Sequence, residues 1–191
     1  SRAGDKLLLI YQGHGGYQSD TNKNHFRLWN GTRINVTELE TIMSKANPET
    51  TIRFMLPQCF SGAFSRLIYN VAQVEKGIAK GQRCGLDAQR EDRESEGCTD
   101  SVNTSDYRDY SSYFFSAIDG KGIDGSALLD NPDRDNNVAI TLLEAHYYTL
   151  KNAFSVDFSR STSQDYLEQW QPWYLRWLPI QSEREVDNAY S

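Results

Sequence analysis

The chain has 191 residues, 38% hydrophobic and 24% charged, which is the make-up of one globular domain with a real core and not of a disordered segment. A net charge of -6 is the wrong sign for a nucleic-acid binder. No apolar run approaches the roughly 20 residues that cross a bilayer, so no membrane span is expected.

Ser1–Asp5 leads straight into the apolar run Lys6–Tyr11 (KLLLIY), so the N-terminus reads as a truncation. KLLLIY is patterned as a parallel strand buried on both faces. Thr37–Glu40 (TELE) has the form of a capping box opening a helix to about Lys45. Thr51–Leu56 (TIRFML) predicts a second buried strand, stopped by Pro57. Phe64, Leu67, Ile68 and Val71 recur at helical spacing within Ser61–Gln73. Glu75–Asp106 is polar, with one short strand expected near Arg83–Ala88 and then a long functional or mobile loop. Helices are expected over Asp106–Ile118, Glu144–Phe154 and Gln164–Leu178, with a Gly/Asp loop at Asp119–Pro132. The last helix carries Leu167, Trp170, Trp173, Tyr174 and Trp177 on one face, and residues 160–191 form a C-terminal helix and tail. Alternating strands and helices imply an α/β fold with a mostly parallel central sheet in a single domain spanning residues 1–191.

Cys59, Cys84 and Cys98 are an odd number of cysteines. Cys84 and Cys98 bracket a polar loop. A disulfide between them would favour a periplasmic or secreted setting; two reduced thiols would not.

Two segments sit where chemistry collects in open α/β sheets, at the carboxyl ends of strands. Gly13-His14-Gly15-Gly16 follows KLLLIY, and Gln58-Cys59-Phe60-Ser61-Gly62 follows TIRFML. Acyl transfer by sulfur needs a thiol, a proton-transfer base and oxyanion donors. Cys59 lies between a strand end and a helix start, where the helix N–H groups favour the thiolate. His14 is the base. Gly15 leaves room for a substrate carbonyl, and the N–H groups of Gly15 and Cys59 are the oxyanion donors. Gly62 lets the chain turn into the helix.

The motifs LLLIYQGHGG, FMLPQCFSGAF and DAQREDRESEGC, followed by YRDYSSYFF, resemble those of clan CD cysteine peptidases, the caspase-like and legumain-like (C13) families, bacterial members above all. The resemblance covers about residues 6–120. It implies a caspase-like three-layer α/β/α sandwich. It also implies a cysteine endopeptidase with a Cys59/His14 dyad and a thioester intermediate, acting on peptide or protein substrates with no cofactor for the chemistry. Ser95 and Asp109 are implied to line the S1 pocket. With Glu94 and Gln58 beside them, they would favour Asn or a basic side chain at P1. The pattern departs from the family in two places: Gln58 precedes the cysteine, and Arg108 precedes Asp109. The N-terminal strand and helix of such folds are missing from the sequence.

Asp133–Glu144 follows the spacing of an EF-hand loop, with Asp133, Asp135, Asn137, the Ala139 carbonyl, Thr141 and Glu144 as ligands for a structural calcium ion. Val138 stands where that loop calls for glycine. An acidic turn capping the next helix is the plainer reading. Two functional alternatives remain. One is an α/β-hydrolase-type esterase using His146, against which stands Pro57 where a nucleophile elbow needs glycine. The other is a catalytically silent caspase-like binding domain.

Overall fold

A computed structural model describes residues 1–96 and 108–169. Its main sheet runs β1 (Lys6–Ile10), β5 (Thr51–Leu56), β6 (Gln82–Asp87), β7 (Arg160–Ser161). β1, β5 and β6 are parallel, and β7 joins antiparallel to β6. The apolar runs therefore become strands as expected, with Ile10 opposite Met55 and Leu56 opposite Asp87.

β5 explains the layering. Ile52, Phe54 and Leu56 join one core with Val36, Leu39, Phe64 and Leu67. Met55, pointing the other way, joins a second core with Leu86, Tyr110, Phe114, Ala145 and Tyr148. The first core is covered by α1 (Val36–Met43) and a 3-10 helix, Ser61–Ile68; the second is covered by α2 (Tyr110–Asp119) and α3 (Leu142–Asn152). Each fully buried Phe, Leu or Met contributes roughly 1.5–3 kcal/mol, so β5 anchors both layers. Fold and sequence agree on a mixed α/β architecture with a mostly parallel sheet.

Several local expectations are corrected. β1 is an edge strand, and Leu7, Leu8 and Ile10 remain between 43% and 49% exposed instead of buried on both faces. The capping box that opens α1 is Asn35 with Glu38, two residues before the expected one, which leaves Glu40 to turn inward and pair with Arg83. Ser61–Gln73 is not one α-helix: the 3-10 turn ends at Ile68, and Val71 and Ala72 take positive φ. α4 (Thr162–Glu168) starts two residues early on a Ser161 cap; the tryptophans of the expected aromatic face lie outside the described residues. A second sheet, β2 (Gly15–Gly16), β3 (His25–Arg27) and β4 (Arg33–Asn35), was not anticipated, and His25 is buried in it.

Asp87 ends β6 fully buried, and among the described residues neither carboxylate oxygen has a hydrogen-bond partner. Burial first, then the neighbouring Asp165 of α4, pushes its pKa well above the usual carboxylate range. Tyr110 from α2 lies within electrostatic reach of Asp87. Arg160, across the β6–β7 ladder from Asp87, is paired with Asp165 at 3.1 Å. Because the folded chain holds this proton more tightly than the unfolded chain, the Asp87 contribution is complete below the unfolded pKa of about 3.9 and erodes as pH rises toward the folded value. Asp87→Asn should therefore match the parent in thermal unfolding near pH 4 and exceed it increasingly toward pH 8. A difference that does not vary with pH would contradict this.

Candidate active site

The parallel register of β1 and β5 sets both strand ends on one edge, and the N–H of Tyr11 continues the ladder to Met55 at 3.3 Å. His14 follows in an exposed turn. Its carbonyl accepts the Arg27 N–H at 2.9 Å and lies 3.1 Å from the Tyr11 hydroxyl, so β3 and β1 fix that turn from two sides. The next residue, Gly15, is pressed on the Cys59 backbone: a Cβ there would sit 1.9 Å from the Cys59 carbonyl oxygen. Glycine is required at 15 by this contact with Cys59 itself, more directly than by room for a substrate. One residue from each motif thus touches the other, across 44 positions of sequence.

Cys59 is 5% exposed, and its sulfur is disulfide-bonded. Cys84 is the free cysteine among the described residues, and Cys98 lies outside them. Of the two alternatives left open for Cys84 and Cys98, the bridge between them is therefore not formed. Cys84 sits mid-strand in β6 opposite Arg53, where burial raises its thiol pKa.

Phe60, directly after Cys59, adopts a left-handed backbone (φ 61°), a costly state for a bulky side chain that the surroundings must hold. Its N–H donates to the Arg93 carbonyl at 2.8 Å, and its ring lies 5.5 Å from that of Tyr17. The Gly62 N–H donates to the Gln89 carbonyl at 2.7 Å. These two N–H groups serve the Gln89–Arg93 loop and not the sulfur, contrary to the expectation that they would favour the thiolate. Phe60 makes the sharp turn; Gly62 is needed because a Cβ would lie 2.8 Å from Gln89 and Glu91 backbone atoms.

Gln58 is 2% exposed and packed beneath Gly15, and among the described residues neither side-chain amide atom has a hydrogen-bond partner. Ser95 is buried, and its hydroxyl donates toward the Cys59 sulfur at 3.5 Å. Asp109 is the N-cap of α2: it accepts from the Ser112 N–H and hydroxyl and from the Ser111 hydroxyl. Ser111 in turn accepts from Gln12 Nε2 at 3.2 Å, which ties this helix start to the His14 turn. Gly15, Gln58, Cys59 and Ser95 are thus brought together, with Asp109 linked through Ser111. Glu94 is exposed and contributes its carbonyl to Gln89.

Two residues of this neighbourhood escaped sequence reasoning. Gln89, almost fully buried, bonds Ser61 through its backbone and Glu94, Val156 and Phe158 through its amide. Asp157 accepts the N–H of Glu96 at 2.7 Å and of Tyr110 at 3.0 Å. Burial raises its pKa, and those two N–H bonds oppose the rise. Gln89 stands inside the DAQREDRESEGC motif with no role assigned to it there, and Asp157 lies in no recognisable motif.

His146 is buried between α2 and α3, with Nδ1 2.8 Å from the Tyr110 hydroxyl. Desolvation lowers its pKa to about 4, so it is neutral at physiological pH.

The Asp133–Glu144 loop lies at the start of α3. Oxygens of Asp133, Asp135 and Glu144 fall within 4.8 Å of one another. N–H groups of Asn137 and Val138 donate to Asp133, and Val138 makes the turn at φ 73°, doing glycine's work with a β-branched side chain. Thr141 and Glu144 form the capping box of α3, as the plainer reading expected. Hydrogen bonds from Thr141 and Arg134 hold the Glu144 carboxyl down at about 2.

Compared with known proteins, the chain matches no family model, no curated protein and no solved structure.

Proposed function

We propose that this chain is a caspase-like cysteine endopeptidase domain of the clan CD type, with Cys59 as nucleophile and His14 as acid–base partner. The contact of Gly15 with the Cys59 carbonyl carries the reading, because it makes the two motifs one edge of one sheet. In the reduced protein, the Cys59 thiolate adds to the P1 carbonyl. The oxyanion is held by the N–H groups of Gly15 and Cys59. His14 gives its proton to the leaving amine as the C–N bond breaks, leaving a thioester. His14 then takes a proton from water, which attacks the thioester and frees the acid and the thiolate. Ser95, Gln58 and Asp109 surround the position of the P1 side chain, which would be Asn, Arg or Lys. The substrate is a polypeptide.

The test uses a peptide bearing an electrophilic trap after Asn, Lys or Arg, offered to the chain after thiol reduction. Adduct at Cys59, located by peptide mapping, is the expected result; modification of Cys84 alone would sink the assignment.

One observation favours the silent-domain reading: Cys59 is both buried and disulfide-bonded, so the unreduced chain has no nucleophile. The esterase reading is weakened by the burial of His146 and its bond to Tyr110.

We also propose that the Asp133–Glu144 loop takes a structural calcium ion through Asp133, Asp135, Asn137, the Ala139 carbonyl, Thr141 and Glu144. Converging carboxylates repel one another, and a divalent cation relieves that. A site filled at 100 times its Kd adds about 2.7 kcal/mol to stability, so added calcium should raise the Tm and chelator should reverse it. An unchanged Tm across millimolar calcium would dispose of the site.

A further inference from the structure

We infer that Asp157 is a positioning residue of the candidate site: its carboxylate locks the loop that carries Ser95 to the helix start that carries Asp109. The effect on substrate rests on the peptidase reading; the lock itself does not.

The two donors come from separate segments. Glu96 N–H reaches one oxygen at 2.7 Å, and Tyr110 N–H reaches the other at 3.0 Å. A short side chain with two acceptor atoms is what such a junction needs, and a carboxylate binds N–H donors more strongly than a neutral acceptor does. Each bond lies one residue beyond a site residue: Ser95 precedes Glu96, and Asp109 precedes Tyr110. Displacement at Asp157 therefore passes across a single Cα to the hydroxyl that faces the Cys59 sulfur at 3.5 Å.

The strap bearing Asp157 is itself zipped to the loop. Val156 N–H donates to the Glu96 carboxylate at 3.0 Å, and the Gln89 amide bonds Val156 and Phe158 backbone atoms at 3.3 and 3.2 Å. Exposure alternates along it: Phe154, Val156 and Phe158 point outward while Ser155 and Asp157 turn in. Period-2 alternation aims Asp157 at the junction and keeps its apolar neighbours out of it. Asp157 stands 61 residues after Glu96 and 47 after Tyr110, so the strap closes the site from a distant part of the chain.

The experiment compares Asp157→Ala and the isosteric Asp157→Asn with the parent, all reduced. The first readout is the rate of iodoacetamide alkylation at Cys59, resolved from that at Cys84 by peptide mapping. Asp157→Ala should speed Cys59 alkylation on the order of tenfold, the equivalent of one lost charge-assisted hydrogen bond, and leave Cys84 unchanged. Asp157→Asn, which keeps one acceptor but turns an NH2 toward the other donor, should fall between. The second readout is cleavage of the best peptide, where kcat/KM should drop on the order of 10²-fold, mainly through KM. An unchanged Cys59 rate in both variants overturns the inference, as does acceleration of Cys59 and Cys84 together, which would mean general loosening. If the parent cleaves no peptide, the peptidase reading falls while the alkylation rates still decide the lock. Should the alanine variant fail to fold, the asparagine variant carries both readouts.

Discussion

On the peptidase reading, Cys59→Ala should remove peptide hydrolysis by the reduced chain by a factor on the order of 10⁴ or more, because among the described residues the other thiol, Cys84, lies mid-strand in β6 and away from the strand ends. His14→Ala should cost less, about 10²–10⁴-fold, the usual worth of a positioned acid–base group. That ordering is itself diagnostic: a reaction run by a bound water would depend more on the imidazole than on the sulfur. The comparison must be made under reduction. In the oxidised chain Cys59 belongs to a disulfide, and a disulfide contributes typically about 2–4 kcal/mol of stability. In the oxidised state the parent has no free Cys59 thiol, and Cys59→Ala would differ from it by losing the bridge's stabilisation, so that comparison would not report on chemistry. Under reduction both proteins lack the bridge, and their thermal unfolding should agree closely. Initial rates on a peptide library, measured with and without reductant, check all of this. Hydrolysis that survives Cys59→Ala, or that needs no reductant, would remove sulfur from the mechanism.

What the sequence made legible was set by how each element is stabilised. β5 packs on both faces through Ile52, Phe54, Met55 and Leu56, so those residues make it legible as a buried strand despite Thr51 and Arg53, which are partly buried. β1 is as apolar, yet it lies on an edge, and apolar composition alone cannot distinguish the two positions. β2, β3 and β4 have two or three residues each and are held by pairing, leaving no periodicity to read. The Thr37–Glu40 pattern failed because Asn35 and Glu38 fit the same rule and Glu40 had a buried partner elsewhere. His14, Gly15 and Cys59 were legible because strand–turn chemistry is local. The surrounding shell was not, since Gln89 and Asp157 act through hydrogen bonds to backbone, and any residue can supply the other half of such a bond. Asp109 shows the limit in between: its motif placed it near the site, while the neighbouring Ser111 and Ser112 make it a helix cap.

Arg83→Ala should destabilise the fold by about 3–5 kcal/mol, the usual result of leaving one member of a buried ion pair unpaired. The Arg83 guanidinium meets Glu40 at 3.1 Å with both side chains at most 5% exposed. It also donates to the Leu67 carbonyl and to Ser44, each at 3.0 Å, while the Ser44 hydroxyl donates to Glu40. One side chain therefore joins β6, the end of α1 and the 3-10 helix. For a chain of this size a loss of that magnitude lowers the Tm by on the order of 10 °C. Glu40→Leu alone should cost a similar amount, since it strands the guanidinium. Arg83→Met with Glu40→Leu should recover most of the loss, because desolvating two charges offsets much of their attraction. Single Arg83→Met, single Glu40→Leu and the double variant close a double-mutant cycle by thermal unfolding, and additive losses would mean that the two side chains are not coupled. Arg83 lies opposite Ile52, at the amino end of β5, whereas Cys59 follows its carboxyl end. The alkylation rate of Cys59 well below the Tm should therefore be unchanged in every member of the cycle, which separates an effect on the sheet from an effect on the site.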